Sequence, residues 1–176
     1  MKGLVIYKGK YGATKQYAMW IGQELQLPVA SADRFPVDQL PKYDYFILGS
    51  SVYIGKLEIK DWLKKNFPVF QNKKIFFFQV AGSPVDQIEK RENYNKASLS
   101  PSILENIKFH YLPGRMIMRN LSAWDRLMLK MGAKLTKDPV EKKTMLTDFD
   151  HVKKENALPI IEAVRRFTEM CEPEMV

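Results

Sequence analysis

Residues 7–14, YKGKYGAT, place small, cationic and hydroxyl-bearing side chains directly after an apolar run. Gly9 and Gly12 let the backbone approach a ligand closely and adopt positive φ values. Helical spacing begins at Ala13, and the free amides at the start of a helix attract anions. The stretch therefore predicts a phosphate-binding loop, with a simple strand-to-helix turn as the alternative.

Two further turns of small residues follow apolar runs. Residues 49–56, GSSVYIGK, hold one aromatic, Tyr53, among neighbours too small to bury it. Such a ring suits a flat ligand that it can flank or stack on, and packing of Tyr53 against its own loop is the alternative. Residues 81–84, AGSP, offer backbone amides and carbonyls to the edge of the same ligand.

The segments that must position these turns alternate between apolar strands and amphipathic helices. Strands are predicted at 4–7, 29–31, 44–50, 74–80 and 108–118, and helices at 13–25, 59–67, 101–107 and 152–170. Pro159 places the true start of the last helix nearer Asn156. Continuous apolar strands alternating with helices indicate an α/β sandwich, in which a parallel sheet is covered on both faces. Because parallel strands present their carboxyl ends at one edge, the three turns are expected to converge on one site.

Composition narrows the class of protein. A chain of 176 residues fits a single domain, residues 1–176. The net charge of +8 predicts attraction to phosphorylated ligands, nucleic acid or anionic lipid, although no nucleic-acid-binding motif is present and nucleic acid is not expected. The single cysteine, Cys171, excludes an intramolecular disulfide and favours a cytoplasmic location. No apolar run reaches the roughly 18 residues of a membrane span, so any membrane contact is peripheral, at the inner face.

Metal and hydrolytic chemistry find no support in the sequence. His110 and His151 lie far apart and have no neighbours at ligand spacing, so no metal is expected. No Ser-His-Asp arrangement or nucleotide P-loop appears either. No residue is assigned as catalytic, which suits a protein whose cofactor supplies the chemistry.

The ending Gly12-Ala13-Thr14 resembles the phosphate loop of flavodoxins. The resemblance implies a flavodoxin-like three-layer sandwich with a five-stranded parallel sheet of order 2-1-3-4-5, and FMN held by three loops. The chain departs from the family where Gly9-Lys10-Tyr11 replaces a Ser-Thr pair, so the charge of Lys10 is predicted to replace lost hydrogen bonds to phosphate. The cofactor-binding residues implied are Gly9, Lys10, Tyr11, Gly12, Ala13, Thr14, Ser50, Ser51, Val52, Tyr53, Ile54, Gly55, Ala81, Gly82 and Ser83.

A closer resemblance is to the bacterial flavodoxin-type, menaquinone-dependent protoporphyrinogen oxidases, and residues 112–152 carry it. The matching motifs are Trp124-Asp125-Arg126-Leu127-Met128, Lys130-Met131 and Thr147-Asp148-Phe149. The resemblance implies an FMN-dependent oxidoreductase that passes electrons from a reduced organic substrate to a quinone or another acceptor. Two departures concern substrate choice: Gly132-Ala133-Lys134-Leu135 replaces Gly-Gly-Glu-Thr, and Met118-Arg119-Asn120 replaces a Tyr-Pro-Arg-Tyr type of turn.

This distinctive segment contains a predicted basic helical insert at about 119–137. Its spacing places one apolar face opposite a basic row, and packing of the apolar face on the core is the first expectation. Contact with a membrane or quinone, with a partner protein or with an anionic substrate is the alternative. The apolar residues are Leu121, Trp124, Met128, Met131 and Leu135, and the basic row is Arg126, Lys130 and Lys134. Arg115, Arg119 and Arg126 are candidates for contact with an anionic substrate or a lipid headgroup.

Two other functions remain open from the sequence. One is a flavodoxin-like electron carrier, which passes electrons to a redox protein through a basic docking face. The other is a fold that has lost FMN and serves as an interaction module. The positive charge favours the oxidoreductase, because nearby cations stabilise an anionic reduced flavin and make electron uptake easier.

Overall fold

The computed structural model describes residues 1–171, with the side chains of residues 140 and 141 left out. The parallel strands are β1 (Gly3–Lys8), β2 (Val29–Ser31), β3 (Tyr45–Tyr53), β5 (Lys74–Ala81) and β6 (Ile107–Pro113). They lie in the order β2-β1-β3-β5-β6, which is the predicted order 2-1-3-4-5 when only the parallel strands are counted. The predicted flavodoxin-like fold class is confirmed. A short strand, β4 (Lys56–Leu57), adds to β3 in the antiparallel direction.

Strand register separates two hydrophobic cores, one on each face of the sheet. Val5 of β1 pairs with Ile47 of β3, which pairs with Phe76 of β5, and all three belong to one core. The adjacent row begins with Leu4 and belongs to the other core. Each strand buries both faces, which explains the continuous apolar runs in the sequence.

Helices cover both faces of the sheet. α1 (Ala13–Leu25) and α7 (Leu158–Cys171) pack on the first core. α2 (Lys60–Asn66), α4 (Pro101–Leu104) and a 3₁₀ segment at Val37–Lys42 pack on the second. The predicted helix at 152–170 begins later, because a 3₁₀ turn, Lys154–Ala157, precedes α7.

Three predicted elements differ from the observed ones. β3 runs to Tyr53 instead of ending at Ser50, because β4 pairs with its last residues. The predicted helix at 101–107 has only four residues, and Ile107 already belongs to β6. The predicted strand at 108–118 ends at Pro113. In addition, the polar stretch after residue 84, for which the sequence predicts no element, forms α3 (Ile88–Lys96).

The predicted insert contains α5 (Ala123–Leu135), followed by α6 (Pro139–Leu146). β7 (Arg115–Met116) and β8 (Phe149–Asp150) form an antiparallel pair that brackets both helices. A 3₁₀ segment at Met118–Asn120 leads into α5. Among the described residues, no helix is long and apolar enough to cross a membrane.

The face that α5 turns toward the protein is not the predicted one. Trp124 is 62% exposed and Leu135 is 82% exposed, although both were expected to pack on the core. Leu121 is buried as expected, but the buried residues within the helix are Asp125 and Ala133. Asp125 finds polar partners on the rest of the protein, so this face turns inward, while an exposed apolar stripe is formed by Trp124, Leu127, Met131 and Leu135.

Candidate functional site

The three predicted turns converge at the carboxyl edge of β1, β3 and β5. They form a narrow cleft of about 80 Å³ between the phosphate-loop candidate and residues 80–82. The lining residues are Lys10, Tyr11, Ala13, Thr14, Ser51, Val52, Tyr53, Glu58, Val80, Ala81, Gly82, Gly114 and Arg115. The tertiary structure thus brings together nine of the fifteen residues predicted for the cofactor.

The other six lie around the cleft without lining it. Gly9 and Gly12 shape the first loop, and Ser83 lines two neighbouring cavities. Ser50 is fully buried, and its hydroxyl accepts a hydrogen bond from the backbone of Ile59 at 3.1 Å. Ile54 and Gly55 form the exposed tip between β3 and β4, both with positive φ. These assignments remain predictions for cofactor binding.

The first loop has the geometry of an anion-binding site. Gly12 precedes α1 with φ 86°, a value that favours glycine, and it provides no side-chain cap for the helix amides. A Cβ on Gly9 would lie 2.6 Å from the Thr14 hydroxyl, so only glycine allows this close approach. The Thr14 side chain is 1% exposed, and its Oγ1 has no hydrogen-bond partner among the residues that the structure describes. A buried donor without a partner beside free helix amides fits the phosphate of FMN.

Glu58 contacts the site, although the sequence pattern did not predict it. Its Oε2 accepts a hydrogen bond from the backbone amide of Lys10 at 3.0 Å and another from the Ser51 hydroxyl. The carboxylate therefore braces the first loop against the second. No local sequence signal marks it, since the contact with Lys10 spans 48 residues.

Asp125 of α5 is a second missed residue. Its Oδ2 accepts a hydrogen bond from Lys10 Nζ at 2.7 Å, and its Oδ1 accepts one from the Tyr53 hydroxyl at 2.5 Å. The Tyr11 hydroxyl also donates to Oδ2. The hydrogen bond to Asp125 raises the pKa of Lys10 above its ordinary value. The ammonium expected to face phosphate thus pairs with a carboxylate of the insert.

Arg91 of α3 holds the third loop. It is fully buried, and its Nε donates to the carbonyl of Pro84 at 3.1 Å. Its Nη1 donates to the carbonyl of Leu112 at 3.1 Å, and its Nη2 donates to the carbonyls of Ala81 and Ser83. Burial lowers the pKa of the guanidinium to about 10. Four carbonyls share one cation, so this side chain fixes the shape of residues 81–84.

The three predicted substrate arginines do not share one place. Arg115 of β7 lines the cleft, and its Nε lies 3.7 Å from Oδ2 of Asp150. Arg119, on the 3₁₀ segment, and Arg126, on α5, are exposed. They line neither the cleft nor the two neighbouring cavities that Ser83 lines. Arg115 thus belongs to the predicted cofactor cleft, while the other two belong to the surface of the insert.

Two larger cavities lie beside the third loop, with volumes of about 460 and 240 Å³. Both are lined by residues 82–84, Thr144 and Phe149. In the larger one, the Phe149 ring stacks on His151 with centroids 5.4 Å apart and an interplanar angle of 19°. Residues 82–84, Thr144 of α6 and Phe149 of β8 therefore border open space next to the predicted cofactor cleft. No cluster of three or more metal-ligating side chains occurs within residues 1–171.

The geometry agrees with comparison to known families. The family model described as the flavodoxin domain matches residues 4–143. The chain belongs to the flavodoxin domain family. A comparison with curated protein sequences gives no match.

Solved flavodoxins have the same fold as this flavodoxin-domain protein. Oxidised flavodoxin 2 from Bacillus cereus is 15% identical with a TM-score of 0.51, covering 93% of this chain and 99% of its own. A flavodoxin from the domain Archaea is 15% identical with a TM-score of 0.49, covering 94% of this chain and 99% of its own. Oxidised flavodoxin 1 from B. cereus is 15% identical with a TM-score of 0.46, covering 90% of this chain and 98% of its own.

Proposed function

We propose that this flavodoxin-domain protein is an FMN-dependent oxidoreductase that takes electrons from a reduced organic substrate. The observation that carries the proposal is the pair of cavities beside the third loop. A carrier that exchanges electrons only with protein partners has no need of a space for a small molecule. A cavity next to a cofactor is a usual place for a small-molecule substrate.

The residues around the first loop would bind the FMN phosphate. The amides ahead of α1 and the Thr14 hydroxyl would donate to its oxygens. When bound, FMN would supply a two-electron acceptor for the substrate. Tyr53 would flank the ring, and the backbone of residues 81–83 would border it. Arg115 lines the same cleft and is paired there with Asp150.

The substrate class follows from the resemblance of residues 112–152 to protoporphyrinogen oxidases. We infer a porphyrinogen-like substrate, with a quinone as the acceptor. The apolar wall formed by Phe149 and the cation Lys143 in the same cavity would suit a large ring system that carries carboxylates. The exposed apolar stripe of α5 beside its basic row would place the protein on an anionic membrane, where quinones dissolve.

An FMN titration followed by an anaerobic assay tests the proposal. Purified protein is titrated with FMN and then mixed with protoporphyrinogen and a menaquinone analogue. We expect FMN binding, oxidation of the porphyrinogen and reduction of the quinone. FMN binding without turnover, combined with electron exchange with a redox protein, would instead identify an electron carrier. Failure to bind FMN would overturn the proposal and favour an interaction module.

Two variants separate the cofactor from the substrate. Thr14→Val removes the unpartnered hydroxyl and should weaken the binding of FMN while leaving that of riboflavin, which lacks the phosphate, nearly unchanged. Phe149→Ala should raise the KM for the porphyrinogen without changing FMN affinity. Val37→Ala, an exposed apolar residue outside the cavities, is the matched control. Equal effects of Phe149→Ala and Val37→Ala would exclude the cavity as the substrate site.

A further inference from the structure

Asp125 is a buried carboxylate carried by the insert and surrounded by donors from the main domain. It is 5% exposed, and its three side-chain donors come from two different cofactor loops. Lys10 and Tyr11 belong to the first loop, and Tyr53 belongs to the second. Buried carboxylates are stable only with such partners. The contact therefore ties the insert to both loops at once.

The start of α5 is held at the same point. The hydroxyl of Ser122 caps the helix by accepting a hydrogen bond from the Asp125 amide at 3.1 Å. The backbone amide of Ser122 donates to the Tyr11 hydroxyl at 3.4 Å. Tyr11 thus bridges the backbone ahead of the helix and the carboxylate in its first turn.

Leu121 is buried just ahead of α5, but apolar packing contributes little to holding the first turns of the helix itself. Within α5 only Asp125 and Ala133 are buried. Trp124 and Leu127, which flank Asp125 on the helix, are 62% and 48% exposed. The first turns of α5 are therefore fastened to the main domain mainly by hydrogen bonds and one ion pair.

The ion pair also places Lys10. Its ammonium lies 4.5 Å from the centroid of the Tyr53 ring, so the Asp125 carboxylate holds a cation over one ring face. The same carboxylate accepts a hydrogen bond from the Tyr53 hydroxyl. The Tyr53 ring and the Lys10 cation are thus oriented together by one carboxylate.

The charges around the cleft nearly balance. Asp125 offsets Lys10, while Glu58 and Arg115 are the other two charged residues that line the cleft. Removal of the Asp125 charge would leave the positive charge of Lys10 uncompensated beside the predicted phosphate-binding loop. Coulomb attraction would then favour a phosphate at the first loop and electron uptake by a bound flavin.

We propose that Asp125 is a positioning residue, which fastens the insert over the flavin cleft, orients Tyr53 and offsets the charge of Lys10. The flavin part of this inference rests on the proposed function. The fastening part concerns the protein alone. The two parts can therefore be tested separately.

The first experiment follows tryptic cleavage within 119–134 of the FMN-free protein. Asp125→Asn keeps the shape of the side chain and removes its charge, and Tyr53→Phe removes one donor. Glu162→Gln, which removes an exposed charge on α7, is the matched control. We expect cleavage of Asp125→Asn to be about tenfold faster than that of the wild type, because loss of a charge-assisted contact increases local opening. Tyr53→Phe should be intermediate and Glu162→Gln unchanged. Equal rates for Asp125→Asn and Glu162→Gln would overturn the fastening role.

The second experiment measures flavin binding and the flavin midpoint potential. For Asp125→Asn we expect the ratio of FMN affinity to riboflavin affinity to rise about threefold or more, because only FMN carries the phosphate that meets the uncompensated Lys10. The midpoint potential of bound FMN should rise as well. A purely structural role would lower both affinities together, and an unchanged ratio and potential would overturn the electrostatic role. Absence of FMN binding in every variant would overturn the flavin part together with the proposed function, while the cleavage rates would still decide the fastening.

Discussion

Lys10 Nζ and Asp125 Oδ2 lie 2.7 Å apart, although 115 residues separate them in the chain. The pair connects the phosphate-loop candidate to the insert. Lys8, two residues away, instead pairs with the exposed Asp33. Lys8 and Lys10, although only two residues apart, therefore have different roles.

This difference predicts unequal effects of charge reversal. Lys10→Glu should weaken FMN binding far more than Lys8→Glu, because it places a second carboxylate against Asp125 and beside the predicted phosphate-binding loop. Isothermal titration with FMN would measure both affinities. Lys8→Glu is the control for the change in net charge, and equal affinities for the two variants would exclude a special role for Lys10.

Arg91 is predicted to be the most sensitive side chain near the third loop. Arg91→Met should lower the free energy of unfolding by about 3 kcal/mol, because it leaves several buried carbonyls without a donor. Chemical denaturation gives this value. Arg166→Met is the control, since Arg166 is exposed and, within residues 1–171, pairs with Glu162 of its own helix. A loss below about 0.5 kcal/mol, typical of surface substitutions, would contradict the assignment.

Ile54 is predicted to carry backbone strain at the tip between β3 and β4. It has φ 47°, a left-handed value that a β-branched residue adopts at a cost. Ile54→Asn should therefore stabilise the protein by about 1 kcal/mol, since asparagine tolerates this region better. Ile54→Val keeps the branching and should leave the thermal midpoint unchanged. A lower midpoint for Ile54→Asn would show that the isoleucine side chain contributes more than its strain costs.

His110 is expected to make the folded protein less stable at acidic pH. Burial, with a smaller effect of Lys108, lowers the pKa of His110 below its ordinary value, and its Nε2 is buried with no hydrogen-bond partner in the described part of the chain. As the pH falls below about 6.5, the unfolded chain binds a proton that the folded protein resists, so stability falls. The contribution of neutral His110 to the stability of the fold is fully present above a pH of about 6.5. His110→Gln should make the decrease in thermal midpoint between pH 7.5 and 5 shallower, and an unchanged slope would contradict the prediction.

The exposed stripe of α5 predicts binding to anionic vesicles. Trp124, Leu127, Met131 and Leu135 recur at helical spacing, and each is about half exposed or more. We expect co-sedimentation with phosphatidylglycerol vesicles but not with phosphatidylcholine vesicles, and the binding should weaken as salt is added. Leu135→Asp should reduce binding several-fold. Val37→Asp, which adds the same charge elsewhere, is the control. Equal binding by these two variants would exclude the stripe as the contact.

Local patterns in the sequence predicted an α/β sandwich with a parallel sheet, whereas the flavodoxin-like strand order was implied by the family resemblance. Apolar runs that bury both faces, such as residues 4–7, can only be central strands of a covered sheet, and helix α1 was predicted with the bounds that the structure gives. The three loops followed from the same logic, because parallel strands end at one edge. The positions of Thr14 and Tyr53 at the cleft needed no further information.

Side-chain partners were decided by tertiary structure alone. Glu58, Arg91 and Asp125 contact residues far away in the chain, and no local pattern marks those contacts. Helical spacing indicated that α5 has an apolar face but not which way it turns. The sequence is compatible with two orientations of α5. One buries the apolar face, and the other pairs Asp125 with Lys10 and Tyr53. The fold selects the pairing, because the donors of two separate loops meet only when the sheet has formed.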